Sequence, residues 1–170
     1  MITTYNTVSA DGFIARDNGE EDFIPDEVWV DFLDMCKNFD TVVMGRKTYE
    51  TIQSYPEKMI KEFEDVNIKK VVITNNPGFE VKDAYYISHS PRESFSLGER
   101  VLLTSGPTLN TSVLSEGLID TVVLNTLPEK IGSGIKVFNV DPKLDLIKTE
   151  EKDKNIEKYE ENRYKSKVNE

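Results

Sequence analysis

Two turns in the chain carry residue types that bind anions. The first is Gly45-Arg46-Lys47-Thr48, which follows the β-branched run Thr41-Val42-Val43-Met44 and opens a helical pattern. A glycine lets a ligand approach the backbone, the first turn of a helix leaves N–H donors without partners, and its dipole favours negative charge there. Arg46 and Lys47 add charge and Thr48 a hydroxyl, so the chemistry is that of a phosphate. A plain glycine turn followed by surface cations would present the same residues, and the motif alone does not choose between the two. The second turn, Thr104-Ser105-Gly106-Pro107-Thr108, repeats the logic with hydroxyls and no charge. Pro107 suits the first helical position, where its missing N–H costs nothing. Two such turns at the carboxyl ends of strands in one sheet describe a dinucleotide, because open α/β sheets bind ligands along that edge.

Neither a G-x-G-x-x-G fingerprint nor a triphosphate-binding loop occurs. A third candidate contact, Thr74-Asn75-Asn76, offers a hydroxyl and amides for a ribose or its phosphate. Asn75-Asn76-Pro77-Gly78 is equally a good turn. Among titratable residues, Asp26 and Glu27 stand together at the start of a helical pattern, where they could hold a proton for a reaction or complement the helix dipole. His89 reads as a loop histidine and Cys36 as a core thiol.

The elements that must position these residues alternate between strand and helix. Strand-like runs are Ile2 to Val8, Asp40 to Met44, Lys70 to Thr74, Ala84 to Ser88, Val101 to Thr104 and Thr121 to Leu127. They are continuous rather than alternating, as strands buried on both faces are. Val28, Phe32, Met35 and Cys36 recur at helical spacing, predicting a helix from Asp26 to Asn38. A second helix runs from about Lys47 to Gln53 and a third follows Pro107, stopped by Gly117. The pattern predicts an α/β fold with a mostly parallel sheet and helices on both faces. In the charged tail only Leu144, Leu146, Ile147, Ile156, Tyr159 and Tyr164 could face a core. Two antiparallel edge strands suit it, although Asn155 to Lys165 also reads as a solvated helix.

The bulk numbers narrow the partners. The 170 residues predict a single domain over 1–170, and 38% hydrophobic content is enough for a core. With 21 Lys and Arg against 31 Asp and Glu, the net charge of -10 argues against nucleic acid and against anionic membranes. One Cys and one His are too few for a zinc site or an internal disulfide. The start, Met1-Ile2-Thr3-Thr4-Tyr5, has neither the basic nor the apolar region of a secretion signal, and no run approaches the roughly 20 apolar residues of a membrane span. The expectation is a soluble, cytoplasmic protein without metal.

Three segments then carry a family likeness: Ser9-Ala10-Asp11-Gly12-Phe13-Ile14-Ala15, Asp40 through Glu50 with Gly45-Arg46-Lys47-Thr48 inside it, and Gly117-Leu118-Ile119-Asp120. In order and spacing the chain resembles the dihydrofolate-reductase-like superfamily, with a nearer likeness to the reductase domain of the bifunctional riboflavin-biosynthesis deaminase-reductase and its stand-alone relatives. The likeness runs from Ile2 to about Phe138 and includes Leu127-Pro128 through Gly132-Ser133-Gly134. It implies a three-layer fold with an antiparallel C-terminal edge, NADPH as hydride donor, a small heterocyclic substrate and a homodimer. It also assigns Gly45, Arg46, Lys47 and Thr48 to the cofactor phosphates, Thr74 and Asn75 to the adenosine 2′-phosphate end, and Ser105, Gly106, Pro107, Thr108 and Leu109 to the pyrophosphate. Asp11 to Asp22, with Asp11 and Ile14, would form the loop over the nicotinamide.

Ile24-Pro25-Asp26-Glu27 is similar to the acid-bearing helix start of dihydrofolate reductases and makes Glu27 the aligned acid beside Asp26. The chain departs from the riboflavin enzymes at two places. Ser105 stands where they have the first of two glycines, so its side chain would crowd the cofactor or demand another backbone geometry. Gln53 to Lys58 replaces their phosphate-recognising stretch. A single cysteine excludes the deaminase half. The leading expectation is an NADPH-dependent reductase resembling 5-amino-6-(5-phosphoribosylamino)uracil reductase. The alternatives are dihydrofolate reduction, or a nucleotide-binding or dimeric scaffold without turnover.

Overall fold

Every β-branched run forms a strand, and the computed structural model, which describes residues 1–154 and 157–167, joins them in one eight-stranded sheet. The strands are β1 Ile2–Val8, β3 Thr41–Gly45, β4 Lys69–Ile73, β5 Tyr86–Ser88, β6 Val101–Leu103, β7 Thr121–Thr126, β9 Leu144–Lys154 and β10 Glu157–Ser166, in the order β5-β4-β3-β6-β1-β7-β10-β9. From β5 to β7 each neighbour is parallel. β10 then runs antiparallel to both β7 and β9. Register pairs Gly45 with Ile73 and Val43 with Leu103, so the Gly45, Thr74 and Thr104–Gly106 turns all leave the same edge of the sheet.

Both faces of the parallel strands are covered, which is why their sequences do not alternate. Along β3, Val42 and Met44 pack with Phe32 and Cys36 of α1 (Glu27–Cys36), Tyr49 and Ile52 of α2 (Arg46–Gln53) and Phe63 of α3 (Glu57–Glu64). Val43 points the other way, toward Val113 and Leu114 of α5 (Pro107–Ser115). Fully burying one such aliphatic side chain is worth about 1.5–3 kcal/mol, so placing α5 opposite α1–α3 completes two cores. A short helix, α4 (Pro91–Phe95), adds Phe95 to the second. Among the described residues no helix is long and apolar enough to cross a membrane.

Two features lie outside the sequence expectation, although Met59, Ile60 and Phe63 of α3 do recur at helical spacing. α3 occupies the stretch after Tyr55, and its end is held by Lys70, only 3% exposed, whose Nζ donates to the carbonyls of Glu64, Val66 and Ile68 at 3.2, 2.7 and 3.1 Å. A buried ammonium is costly unless its donors are satisfied, and the last carbonyl of α3 with two of the following turn satisfies them. A two-stranded ribbon, β2 (Phe13–Ala15) with β8 (Ile135–Lys136), lies apart from the main sheet.

The charged tail forms the two expected antiparallel strands. Tyr159 is buried beside Phe23, Val28 and Leu127, and Leu144 and Tyr164 pack on the second core. Leu146 and Ile147 do not face a core: each is 58% exposed. β9 is the outermost strand, and its register with β10 shifts opposite Arg163 and Tyr164, leaving Ile147 at the irregularity. Ile156 lies outside the described residues.

Candidate active site

The shared edge of the sheet opens into a cleft of about 1050 Å³. Its walls include Gly45, Arg46, Lys47, Thr48, Thr74, Asn75 and all of Ser105, Gly106, Pro107, Thr108 and Leu109. These sequence-predicted residues are therefore brought together from three loops.

Backbone geometry shapes this part of the cleft. Gly45 and Gly106 are the N-cap residues of α2 and α5, both extended, and neither helix has a side-chain cap hydrogen bond. The first-turn N–H groups of both helices are thereby left for a ligand. A Cβ on Gly106 would meet nothing within 4 Å, whereas one on Gly45 would sit 3.0 Å from Ser105 Oγ. Ser105 is 5% exposed, and its Oγ accepts the Gly45 N–H at 3.2 Å, so its hydroxyl ties the two turns together.

The second turn is fixed from below by a polar knot that no sequence signal announced. Ser105 O accepts from Asn6 Nδ2 at 2.9 Å and from Asn110 Nδ2 at 3.0 Å. Asn110, fully buried, also donates to Val137 O at 3.1 Å. Arg46 is restrained differently: its guanidinium lies 3.8 Å from Glu50 and 6.0 Å from the centre of the Phe79 ring. His89 borders the cleft as well. Its Nδ1 is 2.6 Å from Thr74 O, an acceptor, so Nδ1 carries the hydrogen and Nε2 is left for other contacts.

The acid end differs from the expectation. Asp26 is on the cleft wall, but Glu27, the first residue of α1, is not. Asp26 is the N-cap residue yet makes no side-chain cap bond, so capping does not explain it. Asp11 is also absent from the wall. Its carboxylate accepts from Ser9 Oγ at 2.6 Å and from the Ile131 and Gly132 N–H groups at 3.2 and 2.8 Å. The Ser9 hydroxyl first, then those amides, hold Asp11 down at about 2. Asp11 thus staples the start of the loop to the 131–132 turn, while Ile14 does reach the cleft.

An acid that sequence reasoning passed over does face the cleft. Glu21, half-buried in the loop before α1, accepts a hydrogen bond at 2.6 Å on Oε2 from the hydroxyl of Tyr55. Burial pushes the Glu21 carboxyl above its ordinary value, and the Tyr55 bond only partly offsets this. Burial, with the neighbouring acid, pushes the Tyr55 hydroxyl up as well, keeping it a donor. Ile24, Trp29, Phe32 and Met59 line the same cleft. The Trp29 ring meets Tyr55 edge-on at 5.4 Å and Phe32 at 5.2 Å. Spacing could not have singled out Glu21 within the Asp11 to Asp22 loop, because its partner Tyr55 is 34 residues away.

No family model matches the chain. It is similar to two uncharacterised proteins of Bacillus subtilis (strain 168): YwjB, 26% identical over 144 residues (79% of this chain, 80% of that one), and YyaP, 27% identical over 143 residues (77% and 76%). Among solved structures it superposes on dihydrofolate reductase from Enterococcus faecalis complexed with NADP(H), with TM-score 0.74, 16% identity and coverage of 98% and 96%. The chain has the dihydrofolate-reductase-like fold. A protein from Shewanella sp. PV-4 described as a riboflavin biosynthesis protein gives TM-score 0.72 at 21% identity, covering 98% of each chain. The deaminase/5-amino-6-(5-phosphoribosylamino)uracil reductase of Thermotoga maritima gives 0.69 at 16%, with this chain spanning 56% of that longer one. Its structural neighbours include reductases, and the mostly parallel sheet with its antiparallel C-terminal edge is the one the family likeness implied.

Proposed function

We propose that the protein is an NADPH-dependent reductase of a small heterocyclic substrate. The observation that carries this reading is the pair of glycine-led, uncapped helix N-termini facing one cleft, linked by the Gly45 N–H to Ser105 Oγ bond. The residues fit the cofactor: the glycines leave backbone open to a phosphate, the Ser105 side chain is turned to Gly45, and the cleft is large enough for a dinucleotide beside a small ring. Gly45 to Thr48 and Gly106 to Leu109 would hold the two halves of the pyrophosphate region, and Thr74 and Asn75 the adenosine end. Bound NADPH would supply the hydride.

The chain's own part is to bind, orient and exclude water. Ile24, Trp29, Phe32 and Met59 offer apolar surface to a flat ring, and Glu21 and Asp26 are the acids beside it. A reductase resembling 5-amino-6-(5-phosphoribosylamino)uracil reductase fits the likeness to the riboflavin-biosynthesis proteins. Dihydrofolate reduction is the second reading, supported by the likeness to a dihydrofolate reductase, with Asp26 rather than Glu27 on the cleft wall.

Trp29, the only tryptophan, stands on the cleft wall and serves as the reporter. Titration with NADPH should quench its fluorescence saturably at micromolar concentration. No saturable binding below millimolar concentration sinks the proposal.

A further inference from the structure

Charge is sorted along the cleft. The four helices of eight residues or more all begin on its wall, α2 and α5 through Arg46 and Pro107, α1 and α3 through their N-cap residues Asp26 and Pro56. The first turns of α2 and α5 hold no acid, so the positive ends of their dipoles are left for an anion. Those of α1 and α3 hold Glu27 and Glu57. The N–H groups of Val28, Trp29 and Met59 there are already taken, by the carbonyls of Pro25, Asp26 and Pro56 at 3.1, 3.0 and 2.9 Å. Two helix starts thus invite negative charge, and two are answered within the chain.

Side chains follow the same division. All Lys and Arg of the chain lie among the described residues, and on the cleft wall the cations are Arg46 and Lys47. α2 separates them from Tyr55, two residues beyond its end, because its eight residues span about 12 Å. At the Tyr55 end the charged groups on the wall are Glu21 and Asp26. The cations next in sequence to other wall residues are turned elsewhere. Arg16 is engaged by Asp22 and Arg92 by Glu116, the Lys58 side chain is 88% exposed and 3.9 Å from Glu62, and Lys136 follows Ile135 in β8 and so leaves the opposite face. Polar groups of the Gln53 to Lys58 stretch also turn inward: Gln53 Nε2 donates to the Tyr85 hydroxyl at 3.0 Å and Ser54 Oγ to Thr51 O at 2.6 Å.

Resting on the reductase reading, we propose that the space beside the cofactor takes a flat molecule with neither phosphate nor carboxylate, neutral or bearing a protonated amine, and discriminates against phosphorylated and acid-tailed substrates. A phosphate at the Tyr55 end would face Glu21 and Asp26 with no cation to answer it, on a mostly apolar wall where like charges are poorly screened. Burial already holds the Glu21 carboxyl above its ordinary value; a bound ammonium brings it down again, and a bound phosphate drives it further up. Ile24, Trp29, Phe32 and Met59 supply apolar contact to the ring whatever its substituent, so the charge of the substituent sets the preference.

The test uses three probes that share one flat ring, naphthylmethanol, naphthylmethylamine and naphthylmethyl phosphate, with the purified wild-type chain and the variants Asp26→Lys and Asp26→Asn. Equilibrium dialysis gives each affinity with saturating NADPH, which covers Arg46 and Lys47, and again without it; NADPH binding is read separately. In wild type with NADPH the alcohol and the amine should bind, the amine at least as tightly, and the phosphate ester at least tenfold more weakly than the alcohol. Asp26→Lys should narrow the gap between phosphate ester and alcohol at least tenfold and weaken the amine, with alcohol and NADPH affinities changed less than threefold. The pH titration of Trp29 fluorescence without ligand, which follows Glu21 on the same wall, should persist in the variant and shows that the wall is folded. A phosphate ester that binds wild type as tightly as the alcohol, or no binding of alcohol and amine at millimolar concentration, overturns the inference even when NADPH binds. If NADPH does not bind, the reductase reading falls and the gap measured without it decides: left unchanged by Asp26→Lys, it overturns the inference. If Asp26→Lys fails to fold, Asp26→Asn takes its place, with a threefold narrowing expected and an unchanged gap again overturning the inference.

Discussion

The two ends of the cleft are built by different means. At the Gly45 and Gly106 end the open groups are backbone amides beside the Arg46 and Lys47 cations, and Ser105, Asn6 and Asn110 hold the loops that carry them. At the Glu21 end the backbone is incidental, and the groups are a carboxyl and a phenol from distant positions meeting over an aromatic wall. A backbone site requires small residues at turns, which leave a mark in sequence. A side-chain site requires only that two residues be brought together by the fold.

The difference can be broken most directly at Gly45. A valine there would place Cβ 3.0 Å from Ser105 Oγ, with a further branch, and one of the two must move. NADPH affinity should fall more than tenfold, at least about 1.4 kcal/mol, while the pH titration of Trp29 stays as in wild type. Affinity preserved in Gly45→Val would place the phosphate elsewhere and erase the distinction between the ends.

Asn110→Ala probes the support beneath the second turn. The fully buried amide donates to Ser105 O and Val137 O, and its loss leaves the Val137 carbonyl without that donor. Removing one partner of a buried bond costs about 1–3 kcal/mol, so urea unfolding should show roughly 2 kcal/mol of destabilisation. A loss below about 0.5 kcal/mol would show that Asn6 alone fixes the turn.

Much of this architecture was legible in the chain. The six β-branched runs became β1 and β3–β7 because strands buried on both faces need no alternation, as Val42, Val43 and Met44 show by pointing to opposite cores. Gly45 and Gly106 were readable because each stands between a β-branched run and a helical pattern, and at Gly45 a Cβ would also press on Ser105 Oγ at 3.0 Å. Glu21 was not, since one glutamate among Glu20, Glu21 and Asp22 has no periodicity to set it apart. Glu27 was favoured for its place after Ile24-Pro25, yet the first turn of α1 presents Asp26, Val28 and Trp29 to the cleft instead. Leu146 and Ile147 misled for a similar reason: their hydrophobicity says nothing about whether a neighbour lies beyond the edge strand.

A smaller effect is expected from Ser105→Ala. It removes the acceptor of the Gly45 N–H and should lower stability by about 1 kcal/mol. If the bond ties turns together without touching ligand, NADPH affinity should change less than threefold. A tenfold loss would make Ser105 part of the binding surface and the two ends more alike.

The last distinction concerns pH, and the sign follows from burial. Glu21 has its folded-state ionisation raised, so between the ordinary glutamate value and that raised value the folded protein holds a proton that the unfolded chain has released. Stability must fall as pH rises through that window, and the full cost is present above it. Glu21→Gln keeps an acceptor for Tyr55 and has no charge to desolvate, so it should be more stable than wild type at neutral pH, the gain shrinking to nothing once both states of Glu21 are protonated. Asp11 should behave oppositely. Held down at about 2 by Ser9 and the Ile131 and Gly132 amides, it adds stability above the ordinary aspartate value that is lost as pH falls toward 2. Thermal melting of wild type, Glu21→Gln and Asp11→Asn across pH separates them. A Glu21→Gln gain that is independent of pH would mean that the carboxyl ionises freely, and the acid end of the cleft would then be ordinary surface rather than a site built to hold a proton.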